Sequence, residues 1–180
     1  NILTNVSSTM NQKIRTRIKN IKLIATDVDG VLTDGGMYYS SNGDTLKKFH
    51  ARDGMAISIL KRNNIPTVII TKEKNQIIKK WSTKMHVDKL FDGVKNKEKI
   101  ILKLCNIYNL SENNIAYIGD DVNDLEILER VGLSISPKDA NQEVKKIVDY
   151  TCNSLGGEGV LREICDLIIS IKFGKKIKLY

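Results

Sequence analysis

At 180 residues, 41% apolar and 28% charged, the chain suits one domain with a sizeable core and leaves no room for a large disordered share. Three cysteines without C-x-x-C spacing indicate neither a disulfide framework nor a zinc site, no apolar run approaches a membrane span, and a reducing cytosol fits. The net charge of +8 is spread along the chain, dense only at 13–22 and 172–178, so it reads as solvated helix faces and a field for anionic small molecules rather than a nucleic-acid surface.

In chain order, residues 1–9 form a polar lead, and Met10, Ile14 and Ile18 fall at four-residue steps, an amphipathic helix of about two turns or a linker. The lead at 1–20 is set apart from a domain at 21–171 and a basic tail at 172–180. A buried strand at 21–26 delivers Asp27 and Asp29 to its tip, and Gly30 follows. Two β-prone runs, 37–40 and 45–50, flank Asn42-Gly43 and predict a hairpin. Asp53 is the expected N-cap of a helix through Met55, Ile57, Ile59 and Leu60, and Pro66 precedes a strand at 67–71. A helix through Ile77, Ile78, Trp81 and Met85 leads to a short strand at 87–91. The next helix puts Ile100, Ile101, Leu104 and Ile107 on its inner face, before a strand ending at Asp120-Asp121. A helix through Leu125, Leu128 and Val131, a strand at 133–136, a helix at 140–147 and a short strand at 148–151 follow. The loop at 154–159 and a helix through Leu161, Ile164, Cys165 and Ile168 complete the domain.

This alternation predicts an α/β fold: a Rossmann-like parallel sheet with helices on both faces and a hairpin flap. Ligands in such sheets bind at the carboxyl ends of the strands, so Asp27, Asp29, Thr71, Asp120, Asp121 and Asp124 converge on one crevice. Two carboxylates leaving a strand tip together call for a cation between them, and Mg²⁺ takes one or two carboxylates plus water and phosphate oxygens. No histidine sits at a strand end to activate a serine or cysteine, whereas carboxylates around Mg²⁺ suit phosphoryl transfer, in which an Asp can attack phosphorus.

Asp27-x-Asp29, then Thr71, then Lys97, then the acidic cluster of GDDVND resemble, in that order, the haloacid dehalogenase superfamily. Taken singly, Thr71 is a plain strand residue, Lys97 competes with Lys95 and Lys99, and GDDVND is an acidic helix start. The interval from Asp29 to Thr71 holds only the hairpin and one helix, too little for a cap domain, and the interval from Thr71 to Lys97 likewise has no room for one. That pattern resembles the capless subclass that includes the 3-deoxy-D-manno-octulosonate 8-phosphate and N-acylneuraminate 9-phosphate phosphatases; DVDGVLTDGGMYY, ARDGMAI and GGEGVLRE carry the likeness nearly to residue 170.

The resemblance implies a cytoplasmic, Mg²⁺-dependent phosphatase of a 2-keto-3-deoxy sugar acid, assembled as a homotetramer whose hairpins join. By the same resemblance Asp27 is the nucleophile and Asp29 the proton donor and acceptor, with Thr71 and Lys97 on the phosphoryl oxygens. The metal ligands are Asp27, the main-chain carbonyl of Asp29, and Asp120, with Asp121 or Asp124 in support. Arg52, Glu73, Lys74 and Gly157, in the flexible loop 156–159, are candidates for the substrate or for a neighbour's site. Thr71-Lys72-Glu73-Lys74 departs from the T-G-R of the eight-carbon enzymes toward the nine-carbon ones, whereas Arg52 resembles the former, so an eight-carbon substrate stands slightly ahead of a nine-carbon one. Two other readings remain: an oligomerisation module excised from a cytidylyltransferase fusion, with which an initial Asn is compatible, and a phospho-acceptor receiver domain. The intact acidic and lysine set argues against the first, and Asp29 and the hairpin against the second.

Overall fold

The computed structural model describes residues 11–174, apart from the side chains of residues 44 and 45. The lead at 1–10 and the tail at 175–180 lie outside the described residues. Six parallel strands form one sheet in the order β5-β4-β1-β6-β7-β8, and β2 and β3 form a separate antiparallel pair. The strands are β1 (Leu23–Thr26), β2 (Tyr38–Ser40), β3 (Gly43–Leu46), β4 (Thr67–Ile70), β5 (Lys89–Phe91), β6 (Ile115–Ile118), β7 (Leu133–Ser136) and β8 (Tyr150–Thr151). The helices are α1 (Gln12–Asn20), α2 (Ala51–Arg62), α3 (Gln76–Lys84), α4 (Glu98–Tyr108), α5 (Leu125–Leu128), α6 (Gln142–Ile147) and α7 (Val160–Phe173).

Strands β1, β4, β6 and β7 are buried along their whole length. Continuous apolar runs of this kind are what a sheet covered on both faces requires. Because side chains alternate across a strand, Ile24, Ile69 and Ile118 enter one core with residues of α1, α2, α3 and α7, while Leu23, Ala25, Val68 and Tyr117 enter a second with α4, α5 and α6. Each fully buried aliphatic side chain contributes about 1.5–3 kcal/mol, which makes the two-sided burial the principal source of stability. Among the described residues no helix is long and apolar enough to cross a membrane.

Several local expectations are revised by tertiary packing. Helix α1 is capped by Asn11 and ends against α7, where Lys172 Nζ donates to the carbonyls of Lys19 (2.8 Å) and Ile21 (2.6 Å), and its Ile18 is buried in the core. Asp53 is not the cap of α2: His50 is, its Nδ1 accepting from Arg52 N (3.2 Å). Asp53 turns inward from the first turn and accepts from the main-chain N of Arg162 at 2.9 Å, so it caps α7 instead. Ile107 of α4 is half-exposed, and α5 ends at Leu128 rather than running through Val131. The hairpin pairs Ser40 with Gly43, so its loop is Ser41-Asn42, one residue earlier than Asn42-Gly43 suggests, and its returning strand stops at Leu46 rather than His50. Phe49, just past the hairpin, stacks on Trp81 with ring centroids 4.4 Å apart. Stacking of that kind contributes about 0.5–1.5 kcal/mol beyond area and anchors the base of the hairpin.

Candidate active site

The chain runs from β1 outward on one side to β4 and β5, then returns to place β6 on the other side of β1. The crevice at the carboxyl ends of β4, β1 and β6 is therefore a topological switch point. Asp27 is the first residue past β1; its N–H still donates to Ile118 O (2.9 Å), which keeps the residue in line with the strand. Its carboxylate accepts from Val28 N (2.7 Å) and from Lys97 Nζ (2.6 Å). Lys97, at the start of α4, is 2% exposed and also donates to Asp124 Oδ1 at 2.7 Å. Asp124 is fully buried and accepts in addition from Tyr117 OH (2.7 Å) and Asp120 N (3.1 Å). The competing Lys95 and Lys99 face solvent.

Carboxylate oxygens of Asp27, Asp120 and Asp124 all lie within 4.8 Å of one another. One ammonium among three carboxylates leaves two negative charges uncompensated when all ionise. Burial, then the charge of Asp124, push Asp27 up to about 7 against the pull of Lys97. Burial, then the charges of Asp27 and Asp124, push Asp120 to about 8. For Lys97, burial lowers the pKa, but Asp27 and Asp124 outweigh it and hold the ammonium above its ordinary range. A group of this charge and donor type fits a hard divalent cation. Gly30 is obligatory beside it: at φ +82° a Cβ would lie 2.0 Å from Asp120 Oδ2.

Asp27, Asp29, Thr71, Glu73, Asp120 and Asp121 line a cavity of about 250 Å³, together with Gly30 and Lys72. Thr71 is buried, and its Oγ1 accepts from Glu73 N at 3.2 Å. Asp121 is exposed and accepts from Val122 N (2.8 Å) and Asn141 Nδ2 (3.1 Å), so it stands on the rim while Asp124 is in the acidic group.

Three expected residues are not brought into this cavity. Arg52 and Lys74 are exposed and do not line it. Gly157 is buried against its own chain: its N–H donates to Val31 O (3.0 Å), and a Cβ on it, at φ +70°, would lie 2.4 Å from Asp34 N. The expectation of a flexible loop reaching out to a site is corrected accordingly, since Gly156 and Gly157 buttress residues 30–34 from behind.

Two polar contributors escaped the sequence reading. Tyr117 looked like one more apolar strand residue, although its position two before Gly119 on the α4 side of the sheet was a usable signal. Lys47, one of a Lys-Lys pair after the hairpin, gave none: its buried ammonium lies 2.7 Å from Asp29 Oδ1 and 2.9 Å from Glu73 Oε2.

The matches to other proteins agree with this geometry. Over 156 residues the chain is 36% identical to the 3-deoxy-D-manno-octulosonate 8-phosphate phosphatase of Salmonella typhi, covering 87% of this chain and 83% of that one. The crystal structure of 3-deoxy-D-manno-octulosonate 8-phosphate phosphatase from Yersinia pestis superposes with a TM-score of 0.88 at 32% identity, covering 92% of this chain and 89% of that one. The enzyme of the same name from Moraxella catarrhalis, solved in complex with magnesium ion, phosphate ion and a KDO molecule, gives 0.86 at 31%, covering 90% and 93%. A family model described as haloacid dehalogenase-like hydrolase matches residues 57–164, and with the curated relative at 36% identity it establishes that this chain belongs to the haloacid dehalogenase-like hydrolases.

Proposed function

We propose that the chain is a Mg²⁺-dependent phosphatase that removes phosphate from 3-deoxy-D-manno-octulosonate 8-phosphate through an aspartyl-phosphate intermediate. The observation that carries this reading is the carboxylate of Asp27 at a strand tip, held between one buried lysine and an excess of acid at the wall of an open crevice. A carboxylate oxygen of Asp27 attacks phosphorus as the bond from phosphorus to the sugar oxygen breaks. Asp29 donates a proton to that departing oxygen. Water then attacks phosphorus, Asp29 takes its proton, and the bond from Asp27 to phosphorus breaks to release phosphate. Thr71 and Lys97 hold the phosphoryl oxygens, and Asp27, the carbonyl of Asp29, Asp120 and Asp124 hold the cation. Bound Mg²⁺ supplies neutralisation of the charge that gathers on the phosphoryl group.

The printed activity of the relatives supports the eight-carbon substrate. A second reading, N-acylneuraminate 9-phosphate, draws on Glu73-Lys74, since Glu73 lines the crevice. The test is kcat/KM for both sugar phosphates with Mg²⁺, repeated in Asp27→Asn and after chelation. The expected result is turnover of the eight-carbon ester in the wild type, loss of at least about 10³-fold in Asp27→Asn with the variant still folded by circular dichroism, and recovery of chelated protein on adding Mg²⁺. Retained turnover in Asp27→Asn would refute the mechanism, and preference for the nine-carbon ester would select the second reading.

A further inference from the structure

Lys47 is the first residue beyond β3, and its side chain is 1% exposed. Its ammonium meets Asp29 Oδ1 at 2.7 Å and Glu73 Oε2 at 2.9 Å. Asp29 and Glu73 both line the crevice, whereas Lys47 does not. A buried ammonium is tolerated only where carboxylates replace its lost hydration, and here two do so from separate loops, after β1 and after β4. The base of the hairpin cannot drift relative to those loops. Two residues beyond Lys47, Phe49 bridges to Thr33 in the loop that follows Asp29, and its ring stacks on Trp81 of α3. Thr33 Oγ1 itself stands 3.4 Å from Asp29 Oδ1. Lys47 thus joins the flap to the loops after β1 and after β4.

We infer that Lys47 is a positioning residue for the leaving-group side of the reaction, holding the carboxylates of Asp29 and Glu73 at a fixed separation so that Asp29 reaches the bridging oxygen and Glu73 meets the departing sugar acid. The inference rests on the phosphatase reading above. Lys97 and Thr71 act on the phosphoryl end, which Lys47 does not touch. Its loss therefore falls on esters whose leaving oxygen needs a proton and a recognised sugar, and spares those that leave as stable anions. The parameter kcat/KM isolates this effect, because it reports only the steps up to departure of the leaving group and excludes hydrolysis of the phosphoenzyme.

The experiment compares wild type and Lys47→Met on 3-deoxy-D-manno-octulosonate 8-phosphate and on p-nitrophenyl phosphate, whose phenolate departs unprotonated, with circular dichroism melting as the check on folding. Lys47→Met is expected to lose about 10²-fold in kcat/KM on the sugar-acid ester and less than about 5-fold on the aryl ester. Should Lys47→Met not fold, Lys47→Gln, which retains a donor, is assayed in the same way and is expected to show the same split. Equal losses on the two esters, which is what general loosening of the fold produces, or no loss on either, would overturn the role given to Lys47. Wild-type protein inert toward both esters would instead overturn the phosphatase reading itself.

Discussion

Replacing Lys97 by Met keeps an unbranched side chain one heavy atom shorter and removes its charge. The ammonium lies 2.6 Å from Asp27 Oδ2 and 2.7 Å from Asp124 Oδ1, and at an effective dielectric constant of about 20 each contact is worth about 6 kcal/mol of Coulomb energy. Burying the ammonium costs several kcal/mol in return, and the carboxylates keep other donors, Val28 N on Asp27 and Tyr117 OH on Asp124. The expected net loss on truncation is about 3–5 kcal/mol, the range found when one partner of a buried pair is removed. Urea unfolding in chelator at pH 8 measures it free of any divalent cation able to replace the lost charge. The deficit depends on pH with a definite sign. The Asp27 carboxyl, at about 7 in the folded wild type against 3.8 for an unperturbed aspartate, rises further once Lys97 no longer lowers it. The folded variant then binds more protons than its unfolded chain across a widened window above pH 4, so its stability falls as pH rises through that window. The deficit therefore grows as pH rises above about 7, where Asp27 of the wild type ionises while that of the variant keeps its proton, and it is level below that, where both folded proteins carry the proton. A loss below about 1 kcal/mol at pH 8, or one independent of pH, would refute the charge accounting at this site.

Asp53, pushed up to about 7 chiefly by burial, is expected to make the wild type lose stability relative to Asp53→Asn as pH rises from about 4 to 7, by on the order of 4 kcal/mol, with no further change above 8. Paired denaturation curves at pH 5 and 8 check this, and a gap that does not widen with pH rules it out. The half-exposed or more exposed Met37, Tyr38, Tyr39 and Leu46 of the hairpin form an apolar patch, and the proposed homotetramer would bury it. Light scattering at micromolar concentration is expected to report four copies, and Tyr39→Asp and Leu46→Asp together to shift the protein toward smaller species; a wild-type monomer would remove this proposal.

Much of the site was legible in the linear chain because its groups sit at strand ends, where local pattern and topology coincide. The apolar run 23–26 had to be buried, which places Asp27 at its tip, and the order of βα units brings Asp120 beside it across the switch point. The spacing of Asp27, Asp29, Thr71 and Lys97 carried the family likeness, and the lack of a cap followed from the short intervals between them.

What remained undetermined was every choice that depends on the direction of a side chain across space. Three lysines at 95, 97 and 99 are equivalent in sequence; only the start of α4 beneath β6 turns Lys97 inward and the other two out. Asp121 and Asp124 are likewise ambiguous until the 3-10 turn Val122–Asp124 buries the second under Tyr117 and leaves the first on the rim. Asp53 has the composition and position of a cap for its own helix, yet it serves α7, more than a hundred residues away, because α2 and α7 pack side by side on one face of the sheet. Lys47 shows the division most plainly: its neighbours in sequence announce a hairpin, but the partners that make it buried and charged come from two distant loops. Secondary structure follows from local steric and hydrophobic pattern, whereas the pairing of charges follows from long-range geometry, which sheet order, helix packing and turns decide together.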